Sequence, residues 1–208
     1  MRTQNLRNWC GRAVVLGTFV TILGVLGLEA QPRQPQTYSA SAMNGNASEL
    51  LLIEAVRSDD VAAVRELVLS GVDVNSVVEN EGTALVAASR ARNLNMVNEL
   101  VLLGANVNLA ARGDGNPLIA ASASENNAAV IERLIDAGTN VNAVVPGDET
   151  PLINASRSGS LANVKALVDR GADVSLAVIT ELGVRRSPLN QAKIQVIRDY
   201  LVARGAQP

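Results

Sequence analysis

The 208-residue sequence has no histidine, one cysteine and few aromatic residues, which make up only 2% of the chain. Without histidine there is no Ser-His-Asp or Cys-His catalytic arrangement and no histidine-ligated metal. A single cysteine, Cys10, forms neither an internal disulfide nor a cysteine-rich zinc site. Phosphate-binding glycine loops and metal-ligand spacings are missing too. We therefore expect no catalysis, no cofactor and no metal.

A surplus of charge is also missing. The chain has 18 basic and 20 acidic side chains, a formal net charge of -2. Proteins that bind nucleic acid carry a basic surplus or patch, so we expect no nucleic-acid partner. The hydrophobic fraction of 48% is too high for a disordered chain, and the length suits one or two domains.

The N-terminus has the pattern of a secretory signal peptide. Three arginines precede an uncharged apolar run, residues 13–28, which Glu29 closes. That run is shorter than the roughly 20 residues of a membrane-spanning helix. We expect residues 1–30 to be removed by cleavage near Ala30, and the alternative is that residues 13–28 are retained as a membrane anchor.

The next segment, residues 31–45, is rich in Gln, Pro, Ser and Asn, and we predict a flexible polar linker there. Cleavage would also remove Cys10, which leaves a mature chain without a thiol. Such a chain is indifferent to an oxidising compartment. We therefore expect a periplasmic or secreted protein.

From residue 46 onward the sequence repeats itself at a period of 33 or 34 residues. A glycine column and a leucine column four residues before it keep this spacing through the chain: Gly71, Gly104, Gly138, Gly171 and Gly205, with Leu67, Leu100, Leu134, Leu167 and Leu201. The period divides residues 46–208 into units of approximately 46–78, 79–111, 112–145, 146–178 and 179–208.

Each unit predicts two short helices. In the fourth unit Thr150 suits a helix N-cap and Pro151 the first helical position. A turn at Gly159 separates this helix from a second one, because glycine adopts the left-handed conformation freely. We expect residues of similar tolerance to hold the equivalent turns, namely Asp59, Asn93 and the pair Asn126 and Asn127.

These motifs resemble the ankyrin family. The Thr-Pro-Leu core of that repeat stands at residues 150–152, and its Gly-Ala-Asp-Val-Asn signature appears as GANVN at 104–108. The resemblance implies an all-α solenoid of about five helix pairs with protruding hairpin loops, capped at both ends. It also implies binding to another protein. The histidine that the family places after the Thr-Pro-Leu core is absent here.

Partners of ankyrin arrays usually lie against the loop tips and the exposed side of the first helices. Mapped onto this sequence, the resemblance implies candidate contacts on the first helices at Arg90, Ser124 and Arg157, and in the loops at Glu79, Glu81, Arg112, Asp114, Pro146, Asp148 and Glu149. For each residue a merely solvated role competes with contact. Arg90 and Arg157 share one column, with Ala123 between them, so an extended acidic partner could engage both.

The loops are more aliphatic than solvated tips require, for example Ser76-Val77-Val78 and residues 176–179. Two interpretations compete. The loops pair side by side into a ribbon that buries these residues, which we favour, or they present an apolar patch to a partner.

The function expected from these patterns is a monomeric, non-catalytic protein–protein interaction module outside the cytoplasm, with an exported or envelope protein as its partner. One alternative is an inhibitor or immunity protein that blocks an exported toxin or enzyme. Another is a regulatory accessory of an envelope sensor system, because residues 146–153 are similar to bacterial ankyrin arrays, some of which are fused to membrane sensors.

The N-terminal pattern makes a first prediction. Expressed in its own cell, the protein should be recovered from the soluble envelope fraction with a new N-terminus close to Gln31, because the apolar run is short enough to be cleaved. N-terminal sequencing of each cell fraction measures this. An intact segment 1–28 in the membrane pellet would favour the anchor instead.

Overall fold

The structure, a computed structural model, describes residues 45–207. Within that range ten helices follow one another as five helix–turn–helix pairs, which confirms the all-α solenoid. The pairs are α1 (Gly45–Arg57) with α2 (Val61–Leu69), α3 (Ala84–Arg90) with α4 (Leu94–Leu102), α5 (Pro117–Ala123) with α6 (Ala128–Asp136), α7 (Pro151–Ser158) with α8 (Leu161–Asp169), and α9 (Pro188–Gln191) with α10 (Gln195–Ala203).

The predicted signal peptide and nearly all of the predicted linker lie outside the described residues. Gly45, which we predicted as the last linker residue, is instead the first residue of α1. Helix boundaries inferred from sequence patterns are commonly uncertain by one or two residues.

Small side chains bring the first helices of neighbouring pairs together. Each first helix packs on the next, from α1 on α3 through to α7 on α9. The alanine column on these helices is buried throughout: Ala55, Ala88, Ala121, Ala155 and Ala192. Since alanine has no side chain beyond Cβ, the helices approach closely, and the second helices pack less tightly on one another.

Leucines fill the space between the two layers of helices. The predicted column of the second helices is fully buried from Leu67 to Leu201. The first-helix column is buried at Leu52, Leu85, Leu118 and Leu152 but only partly at Leu189, in the final pair. Among the described residues no further helix pair packs beyond α9 to cover this position.

Side-chain caps start the first helices as the sequence predicts. Thr150 Oγ1 accepts a hydrogen bond from the N–H of Ile153 at 3.2 Å, and Pro151 occupies the first turn. Thr83, Asn116 and Ser187 cap α3, α5 and α9 in the same way. Each oxygen satisfies a backbone donor that has no partner within its helix.

The turns inside the pairs correct one prediction. Asp59, Asn126 and Gly159 adopt positive φ as expected, but in the second pair the left-handed residue is Arg92, not Asn93. Asn93 is the N-cap of α4, and its Oδ1 accepts from the N–H of Met96 at 3.0 Å. Arg92 thus lies in the same column as Asp59 and Gly159, directly before the N-cap of the second helix.

The loops also correct a prediction, since the pairing that the structure shows in three of the four loops joins residues of the same loop. Val78 bridges to Gly82 and Ala111 to Gly115, and the last loop forms a hairpin of β1 (Val178–Ile179) with β2 (Arg185–Arg186). These bridges therefore do not form the side-by-side ribbon that we favoured. Positive φ at Gly82 and Gly115 allows the first two loops to fold back on themselves.

Asparagine side chains tie each loop to the next repeat instead. Asn75 Nδ2 donates to the carbonyl of Gly104 at 3.3 Å, and Asn75 Oδ1 accepts from the N–H of Asn106 at 2.7 Å. The same two bonds recur at Asn108 and Asn142. Ser175 takes this position in the last loop, and we see no equivalent bond in the described part of the final repeat.

The shared core makes a second prediction. Leu118→Ala or Leu152→Ala should each lower the free energy of unfolding by about 2–5 kcal/mol, because each leaves a cavity between two repeats. Leu102 is 78% exposed at the end of α4 and serves as the control. Leu102→Ala should cost less than about 0.5 kcal/mol. Denaturant titration compares them, and equal losses in all three would contradict this assignment of the core.

Candidate functional site

The predicted contact residues lie on one face of the array. We call it the groove face and define it as the exposed ends of α3, α5 and α7 with the loops 75–83, 108–116, 142–150 and 175–187. Glu79, Arg112 and Pro146 are exposed in the loops, and Arg90 and Arg157 are exposed at helix ends. The others are partly or fully buried: Glu81, Asp114, Ser124, Asp148 and Glu149.

Ion pairs join the first helices to the loops. Arg90 Nη2 lies 2.5 Å from Asp114 Oδ1, and Arg57 pairs in the same way with Glu81. In both cases an arginine at the end of one first helix reaches an acid in the following loop. The arginine side chains stay about half exposed, at 49% and 50%, so the pairs belong to the surface.

The fourth repeat has a different arrangement. Glu149 is buried, its side chain only 8% exposed, and both Arg157 and Arg186 pair with it. Arg157 also donates to Gln191 Oε1, at 3.1 Å from Nη2. Burial of a carboxylate is tolerable here because two guanidinium groups compensate its charge. Glu149 therefore has a structural role as well as its predicted place on the contact face.

Sequence reasoning missed Arg57 and Arg186. Arg57 precedes Arg90 by one period and belongs to the same column, so the spacing alone would have found it. Arg186 lies on β2, within the extra residues of the last loop, and has no periodic counterpart. Only the folded hairpin brings it to Glu149.

Ser124 is engaged within the array. Its hydroxyl donates to the carbonyl of Arg90 at 2.9 Å and links the ends of α3 and α5. Nearby, Asn127 Nδ2 donates to the carbonyls of Ser89 and Ala121 at 2.8 and 3.0 Å. These bonds satisfy carbonyls at helix ends.

Asp148 is the unusual carboxylate of the groove face. Its Oδ2 is buried and has no hydrogen-bond partner, and no ion pair links it to a described arginine or lysine. Burial is the main reason why the pKa of Asp148 is raised, and the charges of Asp114 and Glu149 add to the effect. A hydrogen bond from the backbone of Gly115 acts in the other direction and lowers the pKa of Asp148.

Aliphatic side chains remain exposed at the loop tips. Val77 and Val144 are each about half exposed, and Ile179 and Leu182 in the last hairpin are 66% and 90% exposed. A cavity of about 410 Å³ lies between residues 147–149 and this hairpin. Apolar side chains of Val178, Ile179 and Leu182 line it together with charged ones. The groove face thus combines apolar tips with paired charges, as binding surfaces do.

The described residues offer little that is suited to other chemistry. Between residues 45 and 207, no three His, Cys, Asp or Glu side chains lie close enough together to hold a metal ion. Over the same stretch, none of the helices is long and apolar enough to cross a membrane.

The stacked helix pairs with their protruding loops define a helical-repeat protein. The family model of ankyrin repeats, in three copies, matches residues 52–145 and, in an overlapping match, residues 101–177. Together the matches cover more than half of the chain, which therefore belongs to the ankyrin-repeat family. Ankyrin repeats are protein–protein interaction modules. A comparison with curated proteins gave no match.

Asp148 generates a third prediction. A carboxyl whose pKa is raised by folding loses stability as pH rises through that pKa, because the native state favours the protonated form. Asp148→Asn should therefore increase the free energy of unfolding at neutral pH. The gain should vanish in acid, where the carboxyl is protonated in both states.

Asp114→Asn is the matched control, because Asp114 holds the equivalent place in the preceding loop but is paired with Arg90. This change should lower stability at neutral pH or leave it unaltered. Denaturant titrations at several pH values measure both variants. A loss of stability in Asp148→Asn at neutral pH would show that its carboxylate is satisfied.

Proposed function

We propose that this chain is a non-catalytic binding module that acts outside the cytoplasm, where its groove face holds another exported or envelope protein. The proposal is based on the ion pairs that join the loops to the first helices. Arg57–Glu81, Arg90–Asp114 and Arg157–Glu149 each fasten a loop to a helix end. The loops therefore form a continuous, ordered surface with the helices.

A preorganised surface favours binding because less conformational entropy is lost when the partner docks. The buried core of the array behind this face supports it, since Leu85, Leu118 and Leu152 are packed between repeats. The exposed Val77, Val144 and Ile179 add apolar area that a solvated loop does not need.

The sequence of residues 1–30 supports an exported location. The atypical repeat units at the two ends of the array support a monomer. The partner is then a protein of the same compartment. If the captured partner is a toxin or enzyme that the array blocks, the module acts as an inhibitor on the same face.

The proposal is tested by capture from an envelope extract with the full chain as bait. The double variant Val144→Asp/Ile179→Asp places charges on the apolar tips of the groove face. It should retain a captured partner at least about tenfold less well, because hot spots at protein interfaces are apolar and desolvated.

A matched control places the same charges elsewhere. Leu69 and Leu102 are exposed apolar residues at the ends of α2 and α4, outside the groove face. Leu69→Asp/Leu102→Asp should bind as the wild type does, and circular dichroism confirms that both variants fold. Equal capture by all three proteins would place the contact on another surface, and a partner lost only by the control would assign it to the second helices.

A further inference from the structure

On the groove face, ion pairs between the arginine at the end of a first helix and the acid of the following loop form a series that we call the ladder. One repeat lacks this pair, and we call its place the gap. The arginine column reads Arg57, Arg90, Ala123 and Arg157 in successive repeats. The acids of the following loops read Glu81, Asp114 and Asp148, at spacings of one period. The first two acids are paired with the arginine of the preceding repeat. Asp148 faces the repeat in which that arginine is replaced by Ala123.

No described arginine or lysine of the array pairs with Asp148 in place of the missing arginine. Arg90 is paired with Asp114, and Arg157 and Arg186 are both paired with Glu149. Asp148 Oδ2 is buried beside Gly115 without a hydrogen-bond partner, and no ion pair from the described residues reaches the carboxylate. A partly buried carboxylate without a counter-charge is costly, and the cost falls when a cationic donor reaches its other oxygen, as Arg90 reaches Asp114 Oδ1. Local charge supports the same conclusion, because Asp114 and Glu149 lie close enough to raise the pKa of Asp148.

The place of the missing arginine is open to solvent. In the two preceding repeats the arginine side chains are about half exposed where they reach their acids. Ala123 is itself exposed and ends at Cβ, so the volume that a longer side chain would occupy is accessible from the groove face. The neighbouring pairs also show which group fits there. A guanidinium donates charge-assisted hydrogen bonds, and in the preceding repeat Arg90 reaches the carboxylate through one oxygen, Asp114 Oδ1.

We propose that the bound protein supplies the missing group: an arginine side chain of the partner enters the gap beside Ala123 and pairs with Asp148. The partner thereby continues a ladder that the chain builds for itself in the two preceding repeats. The exposed Val144, in the same loop as Asp148, offers an apolar contact to the residues that flank this arginine. This inference rests on the proposed function, and it names the chemistry by which the partner is recognised.

The site is tested by titrating the full chain, labelled with ¹⁵N, with Nα-acetylarginine amide and following amide resonances by NMR. The amides of Gly115, Ala123 and Asp148 should shift in a saturable way. The neutral isostere Nα-acetylcitrulline amide, at equal ionic strength, should leave them unchanged. Equal shifts with both probes, or no saturable shift with arginine, would overturn the proposal.

Two variants separate occupation of the gap from a general effect of charge. Ala123→Arg supplies the arginine from within the chain, so it should raise the thermal midpoint of unfolding and abolish the shifts. Ala129→Arg adds the same charge at an exposed position of α6 and should change neither. Asp148→Asn should also abolish the shifts, and arginine-specific shifts that persist in this variant would contradict the site.

The result of the NMR titration can be interpreted separately from the result of the capture experiment. If the wild-type chain captures a partner but shows no arginine-specific shift, the arginine site is wrong and the binding function stands. If the shifts appear as expected but no partner is captured, the site is supported and the exported partner is wrong. When a partner is captured, Ala123→Arg should reduce its retention while Ala129→Arg should not.

Discussion

The packing of one helix pair on the next is the constraint on which the rest of the structure depends. A single pair of helices of this length exposes an apolar face that it cannot bury by itself. The alanine column allows the first helices to approach, and the leucine columns then fill the layer between repeats. The caps, turns and loops recur with this contact, once in every 33 or 34 residues, because each repeat must present the same apolar surfaces to its neighbours.

Much of the fold is predictable because its determinants are periodic. Leu118 and Ala121 recur in register with their neighbours, and the cap at Thr150 is a local property of three residues. The turn at Arg92 was not predictable from residue preference, because arginine is not a residue that favours positive φ. The repeat period would have found it, because Arg92 lies one period after Asp59 and both residues directly precede the N-cap of a second helix.

The places of the groove-face residues in the fold were predictable from the repeat, but their pairing was not, and their role in binding stays a prediction. The family resemblance placed Arg90, Asp114, Arg157 and Glu149 on it, and the structure shows that they are already paired with one another. Which acid each arginine reaches depends on the path of the loop. In the fourth repeat the longer last loop brings Arg186 to Glu149, which Arg157 also contacts. The groove-face charges in these pairs hold the loops to the helices, and Asp148 is the acid of its column that has no such pair among the described residues.

The asparagine bonds between loops give the array a direction. Each of Asn75, Asn108 and Asn142 bonds to the backbone at the start of the next repeat's connection, so the second, third and fourth repeats are each fastened by the one before. Ser175 ends the series in the described part of the chain. The final helix pair, α9 with α10, is therefore held to the array without the side-chain bonds that join the earlier loops to one another. Its attachment depends instead on the packing of α9 on α7 and of α10 on α8, so we expect fraying of the described array to begin there.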